Sequence, residues 1–304
     1  MPVPSVRPFR RDDRDQLTDL VNRHVAAVVP GVSVSVNTVV GALERQPDEF
    51  ITDPWVAERV TLVAEQRRSV VAAAHLLRYR DGAEVGDAYR DAGAVDWFVC
   101  APPASFLPDA EDAADLLMNA CLAQLARWRV RVRYADGALP APVVHGLPRN
   151  WPHVRAVYER AGFRHVGDTQ VVLLARVAGL PDVPPGPGVT VERTVGECGT
   201  RLTAYAGERA LGFIEVDTAL ARPERHVRAA GLADIGNLHV EPGERGTGLE
   251  HRLLARAADW LALCGVDRLV AYEAETDLAA IGELTRCGFT ELARTDRGWT
   301  HRPG

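Results

Sequence analysis

The stretch Glu244-Arg245-Gly246-Thr247-Gly248-Leu249-Glu250 decides how this chain is read. It follows an apolar run, residues 232–240, and opens a segment in which Leu249, Leu253, Leu254, Ala257 and Leu261 recur at helical spacing. The order is therefore strand, glycine turn, helix. Successive N–H groups at such a turn form a concave anion nest, and the helix N-terminus adds partial positive charge. Gly246 and Gly248 let the backbone approach a diphosphate, and Arg245 brings a full charge beside it.

Working outward, residues 268–273 read as a strand, 278–286 as a helix, and Gly288-Phe289 leads into closing strands at 289–294 and 299–302. Upstream, residues 189–193, 202–206 and 210–218 read as strands, the last two as a hairpin. Residues 179–188 hold four Pro and three Gly in ten positions, a stiff extended connector taken as the domain boundary. Before it lies a similar series. A strand at 5–9 leads to a helix over 12–29, with Asp12 or Asp13 as cap, and a second helix at 36–44. A hairpin of 59–66 and 69–79 and a strand at 94–100 follow. A helix over 110–128, a strand at 129–134, a helix at 153–161 and a closing strand over 163–177 complete the series. Residues 155–163, ending Arg160-Ala161-Gly162-Phe163, match 281–289, ending Arg286-Cys287-Gly288-Phe289, in pattern more than in identity.

Composition limits the chemistry. In 304 residues the charged fraction is 25% and the hydrophobic fraction 47%, values of a globular protein with a core. All 35 basic residues are Arg, which excludes mechanisms that need a Lys Schiff base or a P-loop Lys. The net charge of −6, with Arg outnumbered by acids in both halves, argues against a nucleic-acid partner. No apolar run reaches the ~18–20 residues of a membrane span, and the Arg-rich start does not resemble a secretory signal. A cytoplasmic location with no membrane partner is the expectation. Five scattered Cys without a C-x-x-C fit reduced, buried thiols and no metal site.

Strand, R-G-x-G loop, helix, strand, helix and Gly-Phe in this order resemble the GCN5-related N-acetyltransferase superfamily. The first half resembles the same family through its strand–helix–helix opening and Val157-Tyr158-Glu159-Arg160-Ala161-Gly162-Phe163. The resemblance implies an α/β chain of two tandem domains, each a mixed, mostly antiparallel sheet flanked by helices. Domain one is 1–178, a degenerate copy; the linker is 179–188; domain two is 189–304, with the pyrophosphate loop. It further implies acetyl-CoA as co-substrate and direct acetyl transfer to a small-molecule or peptide amine, with a homodimer as a compatible assembly. Main-chain groups of Leu238, His239 and Val240 would meet pantetheine between splayed strands. Arg245, Gly246, Thr247, Gly248, Leu249 and Glu250 would hold the pyrophosphate. Asp234 falls at the position that often holds the base, with His239 as second choice.

Departures from the family pattern set the rival reading. Glu250 stands where Gly or Ala is usual, and Leu284 where a general-acid Tyr is usual, leaving water, Tyr272 or Thr285 to protonate the leaving thiolate. The first half keeps Tyr158, expected as a core residue with a bonded hydroxyl. Its loop reads Pro108-Asp109-Ala110-Glu111-Asp112, which repels a diphosphate. These features favour, as the alternative, an inactive acyl-CoA sensor or interaction module. The second half has only residues 194–200 where the family carries two acceptor-side helices. The interdomain cleft is therefore expected to form the acceptor pocket, with Arg222, Arg225, His226 and Arg228 near it.

Overall fold

The computed structural model describes residues 3–44, 52–102, 109–137, 139–184, 186–218, 220, 227–228 and 231–301. Arg222, Arg225 and His226 lie outside them, as do Pro108 and the side chain of Arg228. In chain order, β1 (Ser5–Pro8) leads into α1 (Arg14–Val28), whose buried face is Leu17, Leu20, Val21, His24, Val25 and Val28, the stripe read from periodicity. Asp13 does not cap that helix with its side chain. It is buried in a double ion pair with Arg7 and accepts from the Arg10 amide at 2.8 Å. β2 (Ser33–Val34) and α2 (Val36–Glu44) follow. β3 (Val56–Gln66) and β4 (Ser69–Tyr79) form the expected hairpin, turning through Arg67 and Arg68, both at positive φ as a two-residue turn requires.

β5 (Ala92–Cys100), α3 (Ala110–Arg127), β6 (Val132–Ala135), β7 (Leu147–Pro148), α4 (Pro152–Arg160) and β8 (Phe163–His165) continue the chain. The closing strand expected over 163–177 is instead two strands, β8 and β9 (Thr169–Arg176), broken at Val166–Asp168 and placed in different sheets. Gly167 sits at the break, where a Cβ would lie 2.4 Å from the Arg297 carbonyl oxygen. β10 (Val189–Gly196), β11 (Gly199–Ala206) and β12 (Arg209–Asp217) form a meander, and β13 (Val227–Arg228) is brief. β14 (Leu232–Val240), α5 (Leu249–Leu263), β15 (Arg268–Ala274), α6 (Leu278–Arg286), β16 (Thr290–Asp296) and β17 (Trp299–His301) finish it.

These elements make two compact units, the first discontinuous in sequence and the second a single stretch. The first is Met1–Thr169 with Arg294–Gly304; the second is Gln170–Ala293. The Pro/Gly stretch at 179–188, read as the domain boundary, lies inside the second unit. The physical reason is strand exchange. β17, from the end of the chain, inserts between β6 and β8 to complete the first sheet, β1-β3-β4-β5-β6-β17-β8. β9, from the first half, pairs antiparallel with β15 along its full length, from Arg268↔Arg176 to Ala274↔Gln170. Within the second unit the sheet thus runs β10-β11-β12-β14-β15-β9-β16. Local pattern identifies these strands as strands but carries no information on which sheet receives them.

In the first unit, Trp299 of β17 is buried against Tyr158, at 5.8 Å between ring centroids, and under the Arg155 guanidinium. Tyr158 is the bonded core residue expected, its hydroxyl donating to the Asp136 carbonyl at 3.1 Å. The acidic start of α3 is satisfied within the unit: Asp109 accepts from Gln66, and Glu111 pairs with Arg160. In the second unit, α5 packs on β11, β12 and β14 through Leu249, Leu253, Leu254, Ala257 and Leu261. Cys100, Cys121 and Cys287 are buried as expected. Cys198, in a hairpin turn, and Cys264, ending α5, are exposed instead.

Candidate functional site

The second unit is built around a parting of two strands. β14 and β15 pair in parallel at Leu232↔Arg268, Ala233↔Leu269 and Asp234↔Val270. Among the described residues the pairing stops there. On its other edge β14 stays bonded to β12 as far as Val240, with one interruption: Glu215 pairs with Asn237 and Val216 with Ile235, leaving Gly236 as the extra residue of a β-bulge. A bulge increases local twist and turns the strand end away from its neighbour. Gly236 is required there, because a Cβ would lie 2.2 Å from the Cys198 Cβ. The cleft opened by the parting has a volume of about 190 Å³. Ile235, Asn237, Leu238, Tyr272, Glu273 and Leu284 are among its lining residues.

At the mouth of β14 the chain turns through Glu244–Gly248 into α5. Gly246 and Gly248 have φ of +74° and +81°, the left-handed region that favours Gly, and a Cβ on either would meet nothing within 4 Å. The loop is therefore open over both glycines. Thr247 fastens it, its hydroxyl donating to the Glu244 carbonyl at 2.7 Å, while Glu244 is held by Arg209. Arg245 is exposed and has no ion pair among the described residues. Glu250, in the first turn of α5, is half-buried, and its charge acts on Cys287 just past α6.

The residues named from sequence separate into groups. Leu238 lines the cleft, Val240 is buried, and Leu249 is a core residue. His239 is exposed, its ring 5.6 Å from that of Phe213 and its Nε2 3.5 Å from Glu241. Asp234 is the last residue of β14 paired with β15, and across β12 it stands opposite Asp217. Tyr272 lies within reach of the Asp234 charge; burial first, then that charge, holds its phenol well above the usual tyrosine range. At neutral pH it is a protonated hydroxyl. Thr285 is already engaged, donating to the Ile281 carbonyl at 2.7 Å, and Leu284 occupies the cleft wall.

Three polar residues here escaped sequence reasoning. Glu273 lines the cleft, and its carboxyl is raised by burial and by Asp277. Asn237 lines it from the bulge. Glu215 is fully buried behind the bulge, accepting from the Arg201 Nε at 2.7 Å and the Glu197 amide at 3.1 Å. The available signal for Glu215 was a carboxylate inside the apolar run Gly212–Val216. The first two strands turn directly at Glu197-Cys198, confirming the short connection read from sequence. Cys198 is exposed, yet desolvation and the charges of Glu215, Asp234 and Glu197 raise its thiol.

A model of the acetyltransferase (GNAT) family matches residues 188–289. No curated protein matches the chain in sequence. Among solved structures, a tandem GNAT protein from the clavulanic acid biosynthesis pathway is 16% identical with a TM-score of 0.63, over 99% of this chain and 100% of that one. A GCN5-related N-acetyltransferase from Sphaerobacter thermophilus is 14% identical with a TM-score of 0.61, over 99% and 96%. A GCN5-related glucosamine N-acetyltransferase region of a fungal multi-domain beta-N-acetylglucosaminidase is 13% identical with a TM-score of 0.62. That match covers 98% of this chain and 38% of that one, so this chain spans well under half of that protein. At such identities the likeness is one of fold.

Proposed function

We propose that this chain, whose residues 188–289 match the model of the acetyltransferase (GNAT) family and whose fold is like that of a tandem GNAT protein, is a cytoplasmic, acetyl-CoA-dependent N-acetyltransferase working through its second unit. The observation that carries the reading is the conjunction of a strand parting with an open, positively charged glycine loop at its mouth. The residues present fit the co-substrate. Amides of Arg245–Glu250 and the Arg245 guanidinium would hold a diphosphate at the α5 N-terminus, and the main chain of Leu238–Val240 would bond an extended pantetheine arm. Acetyl-CoA, when bound, supplies an activated acyl group with a thiolate leaving group.

The chain's own residues supply the proton transfers. Asp234 stands at the floor of the parting, where it would take the proton of an incoming amine from a small molecule or a peptide. Tyr272, protonated and lining the same cleft, would return a proton to the departing sulfur, the role that Leu284 cannot play. Main-chain amides along the unpaired edge of β14 would stabilise the developing oxyanion.

A second reading, an inactive acyl-CoA sensor, is favoured by Leu284 in place of a phenol. Calorimetry with acetyl-CoA followed by thiol-release assays over an amine panel separates the two. Binding with release supports the enzyme, with Asp234→Asn lowering turnover while affinity holds. Binding without release supports the sensor. No binding at millimolar acetyl-CoA overturns both.

A further inference from the structure

The last two helices of the second unit bring three side chains of metal-ligating chemistry to one point. His251 stands in the first turn of α5, just past the glycine loop. Glu283 and Cys287 lie one helical turn apart at the end of α6. The Cys287 amide donates to the Glu283 carbonyl at 3.1 Å, so the helical register holds through Cys287 and both side chains share one face. His251 Nδ1 lies 3.1 Å from Glu283 Oε1. One ligand atom from each of His251, Glu283 and Cys287 lies within 4.8 Å of the other two.

Geometry and donor type together select the ion. Bonds of about 2.0–2.3 Å to a tetrahedral zinc put its ligand atoms about 3.3–3.6 Å apart. The His251–Glu283 pair is already near that spacing, and the thiol has at most about 1.3 Å to close, within reach of side-chain rotation alone. Imidazole, carboxylate and thiolate suit Zn2+, whereas Mg2+ and Ca2+ take oxygen donors. Cys287 is 1% exposed and belongs to the apolar core that includes Leu253, Leu254 and Leu284. His251 and Glu283 are half-buried, which leaves the fourth corner of a tetrahedron to water. Arg286, itself exposed, pairs with the other oxygen of Glu283 and leaves Oε1 toward His251. A plain ion pair accounts for two of the three residues, and a metal accounts for all of them.

We propose that His251, Glu283 and Cys287 form a zinc site that staples α5 to α6, with water as the fourth ligand. The ion takes the place of the thiol proton, which leaves to solvent. α5 begins at the glycine loop and α6 carries Leu284 in the cleft wall, so the staple fixes the spacing of two elements that frame the cleft. The ligands lie far apart in sequence and on two helices, so no short Cys/His spacing announces them. The site is independent of acyl transfer, because none of its ligands is assigned to the co-substrate.

The experiment is titration of the full-length protein, kept reduced with a phosphine, with Co2+ and then Zn2+, read by absorption without acetyl-CoA. One equivalent of cobalt should give a sulfur-to-cobalt charge-transfer band and the visible bands of a tetrahedral site, both bleached by zinc. Cys287→Ser should abolish the charge-transfer band. His251→Ala and Glu283→Gln should weaken zinc, measured against a chromophoric chelator, by at least about tenfold. Replacing the exposed thiols, Cys198→Ser with Cys264→Ser, should leave the band intact. Zinc should raise the melting temperature of the parent but not of His251→Ala, a half-exposed position that keeps the test valid where Cys287→Ser fails to fold; Mg2+ should raise neither. No charge-transfer band at one equivalent, a band that survives Cys287→Ser or disappears with the exposed thiols, or unchanged zinc affinity in His251→Ala would each overturn the proposal.

Discussion

Asp96 and Gly236 are the extra residues of the same β-bulge, one in each unit. Each lies between two antiparallel register pairs, His75↔Trp97 and Leu76↔Val95 in the first unit, Glu215↔Asn237 and Val216↔Ile235 in the second. Each marks the region where a parallel neighbour departs. The duplication therefore preserved the backbone distortion and exchanged the chemistry on it. A carboxyl stands at the bulge in the first unit, whereas in the second a bare glycine leaves room for Cys198.

The Asp96 carboxyl sets the alkaline limb of stability. Its pKa is raised from 3.8 to about 8, so the native state keeps a proton that the unfolded chain loses. Stability from this group is full below about 4 and declines as pH rises toward 8, by up to roughly 1.4 kcal/mol per pH unit. Asp96→Asn removes that decline, and urea midpoints measured from pH 6 to 9 should show the variant more stable than the parent at pH 8.

Two buried imidazoles set the acid limb. Burial lowers His24 from 6.5 to about 4 and His75 to about 3, so both are neutral when folded. The unfolded chain takes up protons below about 6.5 that the native chain refuses, and stability falls as pH drops toward 4. His75→Gln should remove one group's share of that slope in a pH series of urea midpoints.

Glu215 is a structural carboxylate behind the cleft. Glu215→Ala leaves the Arg201 guanidinium, stacked 4.2 Å from the Phe213 ring centre, without its counter-charge and the Glu197 amide without its acceptor. The expected cost is roughly 3 kcal/mol, the low end for a broken buried pair because Arg201 keeps part of its surface in water. Denaturant unfolding measures it.

Trp299 tests the strand exchange. Trp299→Ala should cost about 3–5 kcal/mol, and the loss should appear as unfolding of the first unit, which β17 completes. Limited proteolysis should then cut within Met1–Thr169 while residues 170–293 stay protected.

Arg245 and Gly248 test the loop. Arg245→Ala should weaken acetyl-CoA by about tenfold without shifting the melting temperature, since it holds no ion pair among the described residues. Gly248→Val forces a β-branched residue to a φ of +81°, costing about 1–2 kcal/mol of backbone strain and turning the amides away from the anion. Calorimetry and thermal melts together distinguish the two effects.

Much of the second unit was legible because its signals are local. The Leu249–Leu261 stripe fixes the face of α5, and two glycines at required positive φ fix the turn before it. Asp234 was named by counting back from that turn to the position that the family resemblance implies for a base. Glu273, Asn237 and Asp96 were not legible, because their significance comes from where two strands part, and neither strand records that in its own residues. Cys198 and Cys264, expected to be buried, are exposed for the same kind of reason: one lies in a hairpin turn, the other at a helix end.

By itself, the chain's pattern of apolar spacing and turn residues determined the two α/β copies, their element order and the single glycine loop. These depend on forces that act within a few residues: side-chain periodicity, the sterics of positive φ, and the partial charge of a helix end. The tertiary structure alone decided that β9 and β17 complete the units they do, and that a Pro/Gly stretch lies inside a unit. It also decided that a bulge falls at Asp96 in one sheet and at Gly236, beside the cleft, in the other. Strand pairing is a contact between residues distant in sequence, and its register is set by the whole sheet, so no local pattern contains it.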